Sequence, residues 1–417
     1  MPQTTAAVAC TVCGCVCDDL QVTVENGRIT HAKGACHLAE PWLLSQNSSF
    51  PPAVELAGQP AEAEAAYNRA AELLIASNYP LIYGLSRSTT EGQRAAVALA
   101  DRIGATIDTT ASTGHAPSIM ALQQVGESTS TLGEIKNRAD LVIFWGSDPV
   151  TTHPRHLERY SLDACGRWIP NGRADRFLVV VDEQETETAK KADLFIRVPP
   201  NGHWDYLFML RMILRNLFVP EEQPQLQELA KRMTACRCGV VFFGSGLTND
   251  RFAHRTIEAL LLLVSDLNDK TRFYVRRMRR YGDVAGADSV LAWQTGYPFG
   301  VNLSRGYPRY NPGEFTGPDM LARGEVDLCL LLGSETIADF PRTALDHLRR
   351  IPVIVLDSPG VESPVPAEVK FRTAVYGIHR PGTAYRMDEV PVPLRVLLPT
   401  DYPSDGEVLN ELLKRVG

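Results

Sequence analysis

Residues 80–85 read PLIYGL, residues 90–104 read TEGQRAAVALADRIG and residues 105–110 read ATIDTT. The first run is apolar throughout, as a strand buried on both faces must be. The second repeats apolar residues at helical spacing and stops at Gly104, a residue suited to the left-handed turn that closes a helix. The third is again short and apolar enough for a strand. Strand, helix and strand in this order predict a parallel sheet covered by helices on both faces.

The alternation continues on either side. AEAEAAYNRAAELLIAS (61–77) predicts a helix, and LVIFWGSD (141–148) and FLVVVDE (177–183) predict strands. The pattern resumes with GVVFFGSGL (239–247), a helix around 253–267, VDLCLLLGSE (326–335) and PVIVLDSP (352–359). The expected fold class is therefore α/β: a small N-terminal cysteine-rich β domain followed by parallel-sheet α/β domains. The expected boundaries give a cysteine-rich domain at 1–50, a first α/β domain at 51–235 and a second at 236–417. The loop SQNSSFPPAVELAGQP (45–60) marks the first boundary. Residues 270–320 differ. They lack periodicity and are rich in glycine, proline and aromatics, which predicts a functional or partner-binding segment.

The chain has 417 residues, enough to bury a core without disulfides. Its formal charge is −7, which argues against a nucleic-acid backbone as partner. One basic stretch, Arg276, Arg277, Arg279 and Arg280, predicts either a solvated or partner-facing surface or a small-anion site. No run of eighteen apolar residues predicts a membrane span. The start, MPQTTAAVACTVCGC, lacks a basic segment followed by an apolar one, so the expected location is the cytoplasm, where thiols stay reduced.

Of nine cysteines, four fall at Cys10, Cys13, Cys15 and Cys17, and a fifth is Cys36. Between them LQVTV, the turn Glu25-Asn26-Gly27 and RITHA predict a two-stranded hairpin. A hairpin that small is marginal alone. Cys10, Cys13, Cys17 and Cys36 would converge at one end of it, with Cys15 as the spare. Soft thiolates suit an iron–sulfur cluster or zinc. Cys329, in an apolar run, is expected to be an ordinary buried residue. His153 and His156 have ligand-like spacing on a helix, but no third ligand is evident, so they are expected to be structural.

Several long strings resemble the B subunit of formylmethanofuran dehydrogenase, a member of the molybdopterin oxidoreductases. They are CTVCGCVCDDLQV (10–22), GACHLAE (34–40), IDTTAS (107–112), GHAPS (114–118), GEIKNRAD (133–140), HPRH (153–156), WQTGYP (293–298), SRGYPRYNPGE (304–314) and GTAYRMD (382–388). The resemblance implies interleaved α/β domains and one [4Fe–4S] cluster on Cys10, Cys13, Cys17 and Cys36. It also implies a molybdenum or tungsten pyranopterin that interconverts formylmethanofuran with a carboxyl-level one-carbon unit.

The family's metal ligand, a cysteine or selenocysteine, falls at Gly114, which has no side chain. Ser112 and Thr113 are hard, rarely ionised substitutes. His115 is retained. Where the family has Asp-Pro-Arg, this chain has Asp182-Glu183-Gln184, so a possible phosphate fork is gone. The family's Met-Arg-Gly-His becomes Met278-Arg279-Arg280-Tyr281. A family histidine becomes Asp339, within Glu335-Thr336-Ile337-Ala338-Asp339-Phe340-Pro341. The expectation is a lost pterin metal, with His115 and Arg279 as remnants of the catalytic site and Gly382, Thr383 and Asp182 as remnants of the pterin side.

Such a chain fits the bacterial formyltransferase/hydrolase complex, three of whose subunits resemble those of the dehydrogenase. That complex takes a formyl group from tetrahydromethanopterin to a methanofuran-like carrier and releases formate. Subunits of the A, C and D type would be the partners, with hydrolysis in the A subunit and transfer in the D subunit. This chain would then be a redox-inactive scaffold. The alternatives are an active metal–pterin subunit with another ligand, and a small electron-transfer or iron–sulfur assembly module.

Overall fold

The computed structural model describes residues 2–47, 52–217, 223–249 and 252–417. The boundary read near residue 50 lies outside the described residues. The chain forms two compact units, and the division is not sequential. One unit comprises Met1–Thr113 and Tyr281–Gly417, and the other comprises Gly114–Arg280. The units thus fall at other points than residues 50 and 235, because the second is inserted into the first. Strands that are neighbours in sequence are usually neighbours in space. The insertion overrides that tendency, and only the interleaving expected from the resemblance anticipates it.

The discontinuous unit holds a nine-stranded sheet. Its parallel centre runs, in spatial order, Thr106–Thr109, Pro80–Gly84, Leu328–Leu332, Val353–Asp357 and Val369–Arg372. The central pairing sets Leu81 against Cys329 and Tyr83 against Leu331. These strands are buried on both sides, as their apolar sequences require. The edges are antiparallel, with Val301–Asn302 and Arg309–Tyr310 at one end and Val54–Leu56 and Gln59–Pro60 at the other.

The helix Thr90–Ile103 begins where the Thr89 side chain accepts from the Gly92 N–H. It ends at Gly104 with φ +67°, the left-handed closure expected there. Gly84 has φ +116°, and a Cβ there would lie 2.2 Å from the Leu332 carbonyl oxygen. Only glycine lets these two strand ends approach.

The inserted unit holds five parallel strands in the spatial order Leu194–Arg197, Phe177–Asp182, Leu141–Trp145, Cys238–Phe243 and Arg272–Arg277. In chain order this is 3-2-1-4-5, a doubly wound arrangement. Its core mixes aliphatic side chains with Trp145, Phe243 and Phe273, and is covered by the helices His203–Leu214, Pro224–Ala235 and Ala253–Asn268.

The N-terminal sheet is three-stranded, not two-stranded. Gln3–Val8 pairs with Leu20–Glu25, which pairs with Arg28–Lys33. The hairpin turn is the expected one, with Asn26 at φ +48° and Gly27 at φ +73°. The first strand escapes the sequence pattern because QTTAAV lacks alternation and five of its six residues are not buried. No helix among the described residues is long and apolar enough to cross a membrane.

Candidate functional site

The cysteine loop connects the first two strands of the N-terminal sheet. The Cys10 N–H donates to the Cys17 carbonyl at 2.8 Å, and the Val16 N–H donates to the Cys13 carbonyl at 3.1 Å. Val16 takes φ +36°, a left-handed value a β-branched residue rarely adopts. The loop is therefore curled tightly, and its thiols are drawn together. Cys36 sits where the third strand turns into the helix Ala39–Leu44, and its carbonyl accepts from Ala39 and Glu40.

Cys10, Cys15 and Cys17 are buried, while Cys13 and Cys36 are partly exposed. Burial pushes the Cys10 thiol up, and Cys13, Cys17 and Cys36 each push it further. Cys13, Cys17 and Cys36 thus all lie near Cys10. Cys15 hydrogen-bonds to Cys13, holding the Cys13 thiol down, and the Arg87 guanidinium acts in the same direction. Among the described residues, no group of three or more His, Cys, Asp or Glu side chains is arranged to hold a metal ion. Soft thiolates suit an iron–sulfur cluster, which the family resemblance implies here. Cys10, Cys13, Cys17 and Cys36 would hold it, and it would supply one-electron transfer or a structural staple.

The loop rests on the C-terminal part of the same unit. Ala9 and Val16 pack with Tyr376, Ala384, Val392 and Leu394. The Met387 N–H donates to the Gly14 carbonyl at 2.9 Å. Gly382 and Thr383 lie on the strand Gly382–Tyr385, so the structure brings these two expected pterin-side residues beside the cysteine loop. There they are engaged within the fold: the Thr90 hydroxyl donates to the Thr383 carbonyl at 3.4 Å, and a Cβ on Gly382 would meet Thr89 at 2.6 Å. Arg386 forks onto Asp388 at 2.6 and 2.7 Å and closes the turn of that hairpin.

In the nine-stranded sheet the strand order reverses between Pro80–Gly84 and Leu328–Leu332. Open α/β sheets bind ligands beyond the carboxyl ends of strands at such a point. Arg87 and Glu335 stand there as an ion pair at 3.1 Å. Arg87 also donates to the Thr11 carbonyl at 3.2 Å and lies over the Tyr281 ring, 5.3 Å from its centre. Tyr281 is one of the residues that departs from the family pattern.

Asp357 and Asp405 lie near Glu335, and burial raises both carboxyls, Asp405 to about 6. Sequence reading misses Arg87. Its one signal is position, in the loop directly after a buried strand and a glycine.

The string around Gly114, the ligand position that the resemblance implies, is well held. Asp108 is fully buried and accepts from the N–H groups of Thr109, Gly300 and Gly317 at 2.9, 2.8 and 2.6 Å. Burial raises its carboxyl to about 7. The Thr109 hydroxyl donates to Asp288 at 2.9 Å. Tyr83 and Thr113 share a hydroxyl–hydroxyl bond at 3.4 Å. At Gly114 there is no side chain, and nothing lies within 4 Å of where a Cβ would stand. With no side chain at Gly114, this string supplies no soft ligand for a pterin metal.

In the inserted unit, His115 is buried at the start of the helix Ala116–Val125, where its carbonyl accepts from the Ser118 hydroxyl at 2.7 Å. Asp182 ends its strand, and its carboxylate accepts from the Gln184 N–H at 3.3 Å. Burial raises the Asp182 carboxyl. Gln184 is exposed.

The basic stretch is not a solvated surface. Arg276 and Arg279 are buried, and Arg277 pairs with Glu127 at 3.2 Å with both side chains nearly buried. Of the four, only Arg280 is exposed. The stretch lies on the last strand of the five-stranded sheet and the turn after it, which places most of it inside.

His153 and His156 do not share a helix. His153 follows the short helix Pro149–Thr152, and His156 precedes a π turn at Leu157–Ser161. The His153 Nε2–H donates to the Arg279 carbonyl at 2.7 Å. His156 packs edge-on against Phe144 and Phe242.

No family model matches the chain. Among curated proteins, it is 39% identical to the B subunit of the tungsten-containing formylmethanofuran dehydrogenase 2 of Methanocaldococcus jannaschii, covering 98% of both chains. It is 37% identical to the protein of the same name from Methanococcus maripaludis, again over 98% of both. It is 27% identical to the B subunit of the formyltransferase/hydrolase complex Fhc of Methylorubrum extorquens, over 66% of this chain and 73% of that one. Among solved structures, a chain of the Methylorubrum extorquens formyltransferase/hydrolase complex with methylofuran superposes with a TM-score of 0.74 at 25% identity. The match covers 87% of this chain and 98% of that one. Acetylene hydratase from Pelobacter acetylenicus superposes with a TM-score of 0.67 at 12% identity, over 98% and 69%. The fold is that of the molybdopterin oxidoreductases.

Proposed function

The chain belongs to the family of formylmethanofuran dehydrogenase B subunits, and we propose that it serves as the redox-inactive B subunit of a formyltransferase/hydrolase-type complex in one-carbon metabolism. In this reading it works with subunits of the A, C and D type. Formyl transfer from a tetrahydromethanopterin carrier to a methanofuran-like carrier, and release of formate, take place in those partners. This chain supplies a scaffold, with a cluster on Cys10, Cys13, Cys17 and Cys36 as a staple.

The observation that carries the reading is Gly114. A position that needs a soft, ionised side chain has none, and open space surrounds the point where its Cβ would stand. The Arg87–Glu335 pair supports it, since the Arg87 cation at that reversal point faces an acid of the same chain. Hydrolysis needs no electron acceptor, so loss of the pterin ligand is compatible with formate release by the complex.

One observation favours a second reading. The similarity to tungsten-containing relatives runs over the whole chain, whereas that to the Fhc protein is lower and partial. An active molybdenum or tungsten subunit would then use another ligand. Elemental analysis of the purified complex separates the two. Absence of tungsten and molybdenum together with formate release supports the scaffold; one tungsten or molybdenum per chain overturns it.

A further inference from the structure

Within residues 270–320, the segment that lacks sequence periodicity, residues 293–314 lie at an edge of the discontinuous unit. The helix Val284–Thr295 ends at Gly296, φ +86°, and delivers the chain to the antiparallel edge of the nine-stranded sheet. Trp293 is 60% exposed, Tyr307 53% and Tyr297 37%. Three large rings are thus exposed within one short segment.

Two of these rings, Trp293 and Tyr297, are held in place. Tyr297 stacks on Tyr310 with centroids 4.9 Å apart and planes 12° from parallel, and Tyr310 stands edge-on to buried Phe299 at 5.5 Å. Trp293 meets Tyr385 edge-on at 5.6 Å. Arg309 is pinned by the Asn302 side chain at 2.6 Å. Ordering these groups therefore costs little further entropy on binding.

The chemistry of the edge selects a partner. Residues 293–314 contain two arginines, Arg305 and Arg309, one acid, Glu314, and no lysine, on a chain of net charge −7. Aromatics and arginine with a single acid and no lysine approach the composition of an interface centre. The local sign, opposite to that of the chain, fits an acidic face.

We infer that the edge carrying Trp293, Tyr297, Arg305 and Tyr307 docks another subunit of the same complex, through a partner surface that is apolar at its centre and acidic around it. This rests on the proposed role as a subunit of such a complex.

The test uses the full complex, co-expressed with a tag on this chain, and measures which subunits are retained and how tightly. Tyr307→Ala and Trp293→Ala are expected to weaken one partner at least about tenfold, as truncation of an interface anchor does. Arg305→Glu is expected to weaken the same partner and to flatten the salt dependence of its binding. Arg305 is exposed, so this variant keeps the fold.

Retention of every subunit at unchanged affinity by all three variants would overturn the inference and leave the proposed function standing. A wild-type chain that captures no other subunit overturns both. A homodimer of this chain lost in Tyr307→Ala would replace the inferred occupant with a second copy.

Discussion

The guanidinium of Arg87 lies 3.1 Å from the carboxylate of Glu335, across the point where the strand order of the nine-stranded sheet reverses. The same guanidinium donates to the Thr11 carbonyl in the cysteine loop. One side chain therefore ties the carboxyl end of the central strand to the loop that carries the thiols. The two links differ in worth. The ion pair is partly exposed and should contribute at most about 1 kcal/mol. The Arg87 side chain is about a quarter exposed, and its loss strands a carbonyl behind it. Arg87→Ala should cost about 1–3 kcal/mol in urea unfolding, and Glu335→Ala less than about 1 kcal/mol. Equal losses would show that the pair, not the loop contact, matters.

Two glycines should respond oppositely to alanine. At Gly114 the added methyl meets nothing within 4 Å, so Gly114→Ala should leave stability within about 1 kcal/mol of wild type. At Gly84 it would stand 2.2 Å from the Leu332 carbonyl at φ +116°, so Gly84→Ala should cost more than about 3 kcal/mol or abolish folding. Thermal melts of the two variants side by side decide the matter. A severe loss in Gly114→Ala would mean that the ligand position is not open.

Iron content should distinguish the cysteines. Serine at Cys10, Cys13, Cys17 or Cys36 should reduce iron per chain and lower the melting temperature, because a staple's binding energy contributes to folding. Serine at Cys15 should leave iron unchanged. Iron analysis with visible absorption reads this out. Zinc in place of iron, or iron loss on replacing Cys15 alone, would reject the assignment.

Two buried groups set opposite pH trends. Burial lowers His153 to about 4, so the folded state prefers the neutral ring that donates to the Arg279 carbonyl. Its stabilisation is present above the unfolded value of about 6.5 and is lost as pH falls towards 4. Burial raises Asp283 to about 8, against hydrogen bonds from the Tyr385 N–H and the Gln93 amide. The folded state holds that proton more tightly, so stability falls as pH rises from about 4 through 8. In urea unfolding across this range, His153→Gln should flatten the acid limb and Asp283→Asn the alkaline limb. An unchanged alkaline limb in Asp283→Asn would assign it to Asp108 or another carboxyl.

Much of this protein was legible in the linear chain. Burial on both faces forces an apolar run at residues 81–83 or 328–332, so these strands announce themselves. The αL closure at Gly104 and the turn at Asn26-Gly27 depend on local sterics alone. The density of Cys10, Cys13 and Cys17 marks thiolate chemistry before any fold is known. The want of a side chain at Gly114 is likewise a fact of sequence, once the surrounding string is matched to its family.

Tertiary structure decided which strands share a sheet. Leu81 pairs with Cys329 across an inserted unit, and no local pattern encodes a partner so distant in the chain. It also decided the environment of charges. Arg276 and Arg279 belong to a basic run that reads as either an exposed surface or a small-anion site, yet both are buried, because a strand end and its turn place them inside. Arg87, Glu335 and Thr11 are remote in sequence, and their meeting depends on long-range strand register. Local stereochemistry determined the elements; non-local pairing, which only the folded chain realises, determined what those elements bring together.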